Sequence, residues 1–207
     1  MANEVDICNL ALVSLGAEVI RSFDPPENDK RSRVCKAAYV PTRDALLSSY
    51  YWTFARKTRE LSLVDTDHPR WSYTYALPSD CWTPFYISER KLRDKWEVEG
   101  THLLCNIEPV ILRYVWRVVD PQIFSPHFVT ALAASIKAVI AYSIVQDKAV
   151  LQDARKEAGY SLARAQEIDA RIGNEYRTLG ELPENDSFVN PELGEVYFGY
   201  GDTPIKT

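Results

Sequence analysis

A change of period constrains this chain more than any other feature. Between residues 56 and 120 runs of alternating apolar and polar residues recur, as at 56–64 and 71–77, whereas on both sides apolar residues recur every three to four residues. Alternation puts successive side chains on opposite faces of a strand; a three- or four-residue step draws a stripe along a helix. Thr58, Glu60 and Ser62 alternate with Arg59, Leu61 and Leu63. WSYTYAL (71–77), PFYIS, KWEVEG, HLLCN and VILRYVWRVV follow, rich in β-branched and aromatic residues and separated by Asp, Gly, Asn or Pro. EVEGTHLLCN reads as a hairpin around Gly100. In the longest run Ile111, Arg113, Val115 and Arg117 share one face, and Leu112, Tyr114, Trp116 and Val118 the other. The two arginines assign the first face to solvent or to a partner.

The flanking segments predict four helices. Residues 3–15 place Val5, Cys8, Leu12 and Leu15 on one stripe, with Asn3 as cap and Gly16 at the stop. After the turn-rich FDPPENDK, a second helix runs from Asp29 to Ser49 with Val34, Ala38, Pro41, Ala45 and Ser48 on one face and Leu46 and Leu47 alongside; Pro41 is expected to bend it. Ser125 as cap and Pro126 at the first helical position open a third, through Ile144, with Phe128, Leu132, Ser135, Val139 and Tyr142 in line. A fourth spans 148–172, striped by Leu151, Ala154, Ala158, Ala165, Ile168 and Ile172, and ends at Gly173-Asn174. At 1.5 Å per residue the last two are roughly 30 to 38 Å long.

The resulting expectation is an α+β chain that is mainly a bundle of four helices, with a β-rich insertion between helices two and three and an extended C-terminal arm. Its segments are 1–55 and 121–173 for the two halves of the bundle, 56–120 for the insertion and 174–207 for the arm. Trp52 and Phe54 stand at the exit from helix two into the insertion. With Tyr73 and Tyr75 they are assigned to the junction between bundle and sheet. The arm has no period long enough to fold alone, yet it carries Phe188, Val196, Tyr197, Phe198 and Tyr200. Those residues read as a partner-binding arm that orders against a neighbouring protein.

Catalytic signals are sparse. His68, His102 and His127 are far apart, and His127, in the first turn of a helix, reads as a surface residue. Cys8, Cys35, Cys81 and Cys105 form no CxxC and no Cys/His cluster, so they read as free thiols without a metal or a disulfide framework. There is no GxSxG, P-loop or GxGxxG. The acidic pairs Asp65/Asp67 and Glu97/Glu99 read as solvated faces, and Asp80 as closing a turn. The net charge of −5 and the lack of a Lys/Arg run argue against a grip on nucleic-acid phosphates; the richest stretch, KLRDKW, is broken by Asp94. Neither a signal peptide nor a membrane span is read: 128–145, the most apolar stretch, is interrupted by Lys137. No enzyme, metal or cofactor is expected.

Several pieces then fall in an order that resembles a known family. Asn9, Ala11, Leu12, Leu15 and Gly16 form N-x-A-L-x-x-L-G; YVPTRDALLSSYYWTFARK follows on helix two; Tyr73, Tyr75, Leu77, Pro78, Asp80 and Cys81 form Y-x-Y-x-L-P-x-D-C; SPHFVTALAASIKAVIAYSI comes last. Over roughly residues 3–172 this set resembles the tail tubular protein A family, the head-to-tail adaptors of short-tailed bacteriophages. The resemblance implies a structural virion protein, assembled in the host bacterial cytoplasm and residing in the virion tail. It would form a ring of about twelve copies whose subunits meet through two different faces. It would join the portal protein to the tail nozzle protein and leave a channel through which DNA passes without specific binding. In such an adaptor the neighbour of the partner-binding arm is read as the portal. The competing readings are a cytoplasmic helical protein-interaction module and a small hydrolase using acidic residues of the insertion.

Overall fold

The computed structural model describes residues 3–24, 29–64, 68–88 and 96–178. The chain divides into a compact unit of residues 1–170 and a second unit of 171–207, whose described residues complete the last helix. The elements run α1 (Glu4–Ser14), α2 (Lys30–Ser48), β1 (Arg56–Glu60), β2 (Leu63–Val64), β3 (Tyr73–Ala76), β4 (Cys81–Ser88), β5 (Trp96–Glu99), β6 (His102–Cys105), β7 (Ile111–Trp116), α3 (Pro126–Val145) and α4 (Lys148–Thr178).

The expectation of a mainly helical four-helix bundle is overturned. Among the described residues four helices stand beside two antiparallel sheets of seven strands, a mixed α+β architecture. One sheet has the order β1-β7-β4 and the other β2-β3-β6-β5. They enclose a core of their own, built from Leu61, Tyr75, Ile87, Leu103, Cys105, Val110, Leu112 and Tyr114. Nor is the β segment an appendage on a bundle. Ala55, Val115 and Val118 belong to the same buried cluster as Trp52, Leu132 and Ile136, so the three-stranded sheet completes the helical core. The alternation along β7 breaks for this reason. Tyr114 faces the sheet core while Val115, on the face assigned to solvent or a partner, is 1 % exposed because the helical core covers that end.

Local chemistry explains the helix ends. Asn3 Oδ1 accepts from Asp6 N at 2.8 Å and Asp6 Oδ2 accepts from Asn3 N at 3.1 Å, a reciprocal cap on α1. Gly16 closes the other end at φ +70°, a conformation that costs a residue with a Cβ. Asn9 then ties the returning chain down: its side chain donates to Ile20 O at 2.9 Å and accepts from Ile20 N at 2.8 Å.

The buried stripes are rotated from those expected. On α2 Ala38, Leu46 and Leu47 are buried as expected, but the inward face also takes Cys35, Tyr39, Thr42 and Arg43, while Pro41, Ala45 and Ser48 are exposed. Pro41 lies within an uninterrupted helix and faces solvent. On α3 Phe128, Leu132, Ile136 and Ile140 are fully buried, whereas Val139 and Tyr142 are 58 % and 49 % exposed. By length and composition α3 passes the test for a membrane-crossing helix that the sequence reading gave to no stretch. In this fold its inner face is taken up by the core. Gly173 and Asn174 lie inside α4, not at its end; their propensity penalties of about 1 kcal/mol or less each are too small to end a long helix. Phe188, Val196, Tyr197, Phe198 and Tyr200 lie outside the described residues.

Candidate functional site

The chain leaves α2 through Tyr50-Tyr51-Trp52-Thr53-Phe54 and enters β1, and the helical core closes over this passage. Trp52 is fully buried; its indole N–H donates to Leu46 O at 2.8 Å. Its ring meets Tyr50 and Phe128 edge-on, each at 5.0 Å between centroids. Phe54 meets Phe128 at 5.0 Å and Phe124 at 5.8 Å. Edge-to-face contacts at these distances each add about 0.5–1.5 kcal/mol beyond area burial. Tyr73 and Tyr75 are not part of this cluster. They lie 6.4 Å apart in the four-stranded sheet, where the Tyr75 hydroxyl donates to Ile107 O at 2.8 Å. Burial pushes the Tyr75 phenol up to about 12. The four residues assigned to one junction therefore divide between two cores.

A fully buried carboxylate anchors α4 at the junction. Asp169 accepts from Thr53 N at 2.9 Å and from Thr53 Oγ1 at 2.7 Å. Its Oδ1 stands 3.3 Å from His127 Nε2, and Arg56 lies 3.8 Å from its other oxygen. Ser125 Oγ is 3.0 Å from the same His127 Nε2. Serine, histidine and aspartate thus converge, but hydroxyl and carboxylate share one ring nitrogen. A proton relay needs the nucleophile on one nitrogen and the carboxylate on the other, so this trio ties the start of α3 to α4, and Thr53 joins both to the passage out of α2. It also corrects two expectations. His127 is largely buried, with its side chain 10 % exposed, and the Ser125 hydroxyl caps no backbone N–H.

A second carboxylate holds α2 against the three-stranded sheet. Asp44 Oδ1 accepts from Arg43 Nε at 2.9 Å and its Oδ2 from Arg117 at 2.6 Å; its carbonyl accepts from Trp82 Nε1 at 3.2 Å. Burial works to raise the Asp44 carboxyl, but the bonds from Arg117 and Arg43 outweigh it and hold it low. Asp80, expected to close a turn, accepts from Lys57 Nζ and from the Tyr114 hydroxyl, linking β1, β4 and β7; the Lys57 bond holds its carboxyl below the ordinary 3.8. Because both carboxyls titrate lower when folded, their stabilisation is complete above about pH 4 and is lost as pH falls through the depressed values. Urea midpoints taken between about pH 6 and pH 3 are expected to drop steeply below pH 4, and less steeply in Asp80→Asn. An unchanged slope in that variant would contradict the assignment.

The outer face of the three-stranded sheet is the third feature. Thr58 pairs with Arg113, and Arg113 with Tyr86, so these residues share a face. The β4 register shifts between Cys81 and Thr83 and again between Pro84 and Tyr86. Each shift adds one residue to β4 and re-aims a side chain. Trp82 and Phe85 thereby join Tyr86 on the outer side, at 39 %, 50 % and 40 % exposure. Arg117 lies over Trp82 at 4.9 Å, Arg113 over Tyr86 at 5.8 Å and Arg56 over Tyr51 at 4.5 Å; Tyr51 stacks on Phe85 at 4.3 Å. The opposite face, with Leu112, Tyr114 and Ile87, is the sheet core.

The other candidates separate. Glu97 approaches Trp71 Nε1 at 3.3 Å and Arg70 at 3.7 Å, and Glu99 approaches His68 at 3.6 Å, so both belong to a charged edge. Asp65 and Asp67 lie outside the described residues. Cys8 and Cys35 are buried in the helical core, where their mutual contact and burial raise the Cys8 thiol. Among the described residues no cluster of three or more His, Cys, Asp or Glu could hold a metal ion. Comparison with models of known protein families gives no match to this chain, and neither does comparison with curated proteins.

Proposed function

We propose that the chain is a ring-forming head-to-tail adaptor of a short-tailed bacteriophage. Copies joined side by side connect the portal to the tail nozzle and leave a channel for DNA, and the C-terminal segment with Phe188, Val196, Tyr197, Phe198 and Tyr200 contacts a neighbouring protein of the assembly. The proposal starts from the ordered motifs of the sequence. What supports it in the fold is large apolar side chains exposed on several elements of one compact unit. Leu10 and Val13 stand 55 % and 60 % exposed on α1, Val139 and Tyr142 on α3, and Trp82, Phe85 and Tyr86 on β4. A closed heterologous ring needs two different contact faces per subunit and further faces for the proteins above and below, and apolar patches of this kind mark interaction surfaces.

Electron microscopy and light scattering of the purified protein, alone and mixed with a portal protein of a short-tailed bacteriophage, test the proposal. The expected result is a ring with a mass near twelve times 23.6 kDa. A single-copy mass under both conditions would overturn it.

A further inference from the structure

The whole net charge of the chain resides in its last 29 residues. Residues 179–207 hold six carboxylates against one lysine, while residues 1–178 hold 23 of each sign. The same segment carries Phe188, Tyr197, Phe198 and Tyr200. An acidic run interspersed with aromatics is suited to a surface that offers cations and ring faces together.

The outer face of the three-stranded sheet is such a surface. Trp82, Phe85 and Tyr86 lie exposed along one strand, and the Arg113 and Arg117 guanidiniums rest on two of the rings. Arg56, Thr58 and Glu60 of β1 share the face with Ile111 and Arg113 of β7. Among the described residues Asp44 pairs with Arg117 and the buried Asp169 stands 3.8 Å from Arg56, which leaves Arg113 beside the exposed rings as the cation that a docking carboxylate would meet. Tryptophan, tyrosine and arginine are the residues that dominate protein–protein binding energy, and an arginine stacked on a ring still presents its outer edge to a carboxylate. Two register shifts in one strand are needed to bring these aromatics to the same side.

We infer that this face docks the acidic, aromatic stretch 181–202 of a second copy of the chain. The inference rests on the reading that copies assemble side by side. Extended, 29 residues reach up to roughly 95 Å, enough to cross to a neighbour. Nucleic acid fits the face less well, because each copy assembled there adds a net −5 that repels phosphate. Docking joins opposite charges and stacks Tyr197, Phe198 or Tyr200 against Phe85 and Tyr86.

A photoreactive benzoylphenylalanine in place of Phe85 tests this in the full chain. Equal amounts of unlabelled and nitrogen-15-labelled protein are mixed, assembled with the portal protein, irradiated and mapped by mass spectrometry. The expected crosslinks join position 85 of one copy to peptides within 181–202 of the other isotope. They should fall roughly tenfold with Arg113→Glu, the effect of losing a charge pair at an interface. Glu192→Lys with Glu195→Lys should produce the same loss from the opposite side. Crosslinks confined to one isotope, to the portal or to any other region would overturn the inference. Rings that form normally without the 85-to-181–202 crosslink sink this inference alone, whereas failure to form rings sinks the adaptor reading beneath it.

Discussion

Replacing Trp52 by alanine should lower stability by about 3–5 kcal/mol, the cost of emptying a fully buried aromatic site. For a chain of this length that corresponds to a drop of roughly 6–20 °C in melting temperature. The indole is wedged between Tyr50 and Phe128, and Phe54 and Phe124 extend the cluster to the entry of β1 and the start of α3. None of these groups can collapse into the vacancy without moving a secondary-structure element, so little of the cavity should refill. Trp52→Phe separates packing from hydrogen bonding. The Leu46 carbonyl that accepts the indole N–H also accepts from Ser49 N at 3.2 Å and Ser49 Oγ at 2.8 Å. Losing the indole therefore leaves no buried orphan, and the phenylalanine variant should lose about 1–2 kcal/mol. Urea unfolding curves of both variants give the comparison. A loss below about 1 kcal/mol in the alanine variant would show that the cluster does not hold the seam.

Much of this organisation was legible in the sequence because it depends on period. The helix-strand-helix order, the α1 caps, the Gly100 hairpin and the two faces of β7 up to Tyr114 all follow from local residue patterns. What period cannot report is the partner of a face. On α3 Phe128 and Leu132 of the expected stripe are buried, but the step from them continues equally well to the outward Val139 and Tyr142 as to the inward Ile136 and Ile140, and period alone does not choose between them. On α2 the inner face includes Arg43, 2 % exposed because Asp44 lies beside it, and Thr42. Apolarity alone could not select that face. The four-helix bundle failed for a related reason: alternation along β7 gave no sign that Val115 would be shared with the helical core.

The charged residues that join the layers were not found from sequence, although one left a trace. Asp169 falls four residues after Ala165, in line with Ala154, Ala158 and Leu162, on the stripe that α4 buries. An acid at a core position is the informative exception to hydrophobic patterning, since burial of a carboxylate requires partners. Asp44 left no such trace: its neighbour Arg43 is ordinary for a solvated helix turn, and its other partners Arg117 and Trp82 are remote in sequence. The aromatic face of β4 was equally hidden. Alternation would send Trp82 and Phe85 to opposite sides, and only the two register shifts bring them together.

Asp169→Ala should cost about 3–5 kcal/mol, the range for removing one partner of a buried charged network. Alanine leaves the Thr53 N–H and hydroxyl, His127 and Arg56 without their shared acceptor in a site where water replaces it poorly. Asparagine is the informative control. Its carbonyl can accept the Thr53 N–H while its amide donates to the Thr53 hydroxyl, so both short bonds survive in rearranged form. What it removes is the charge facing Arg56, at 3.8 Å a weak and partly solvated pair. Asp169→Asn should therefore lose only about 1–2 kcal/mol. Because the carboxylate joins α4 to Thr53 and to His127 at the start of α3, the alanine variant should also expose the α4 amides around position 169 to hydrogen exchange before the rest of the unit unfolds. Equal losses in the two variants would mean that the charge, and not the bonds to Thr53, holds α4 at the junction.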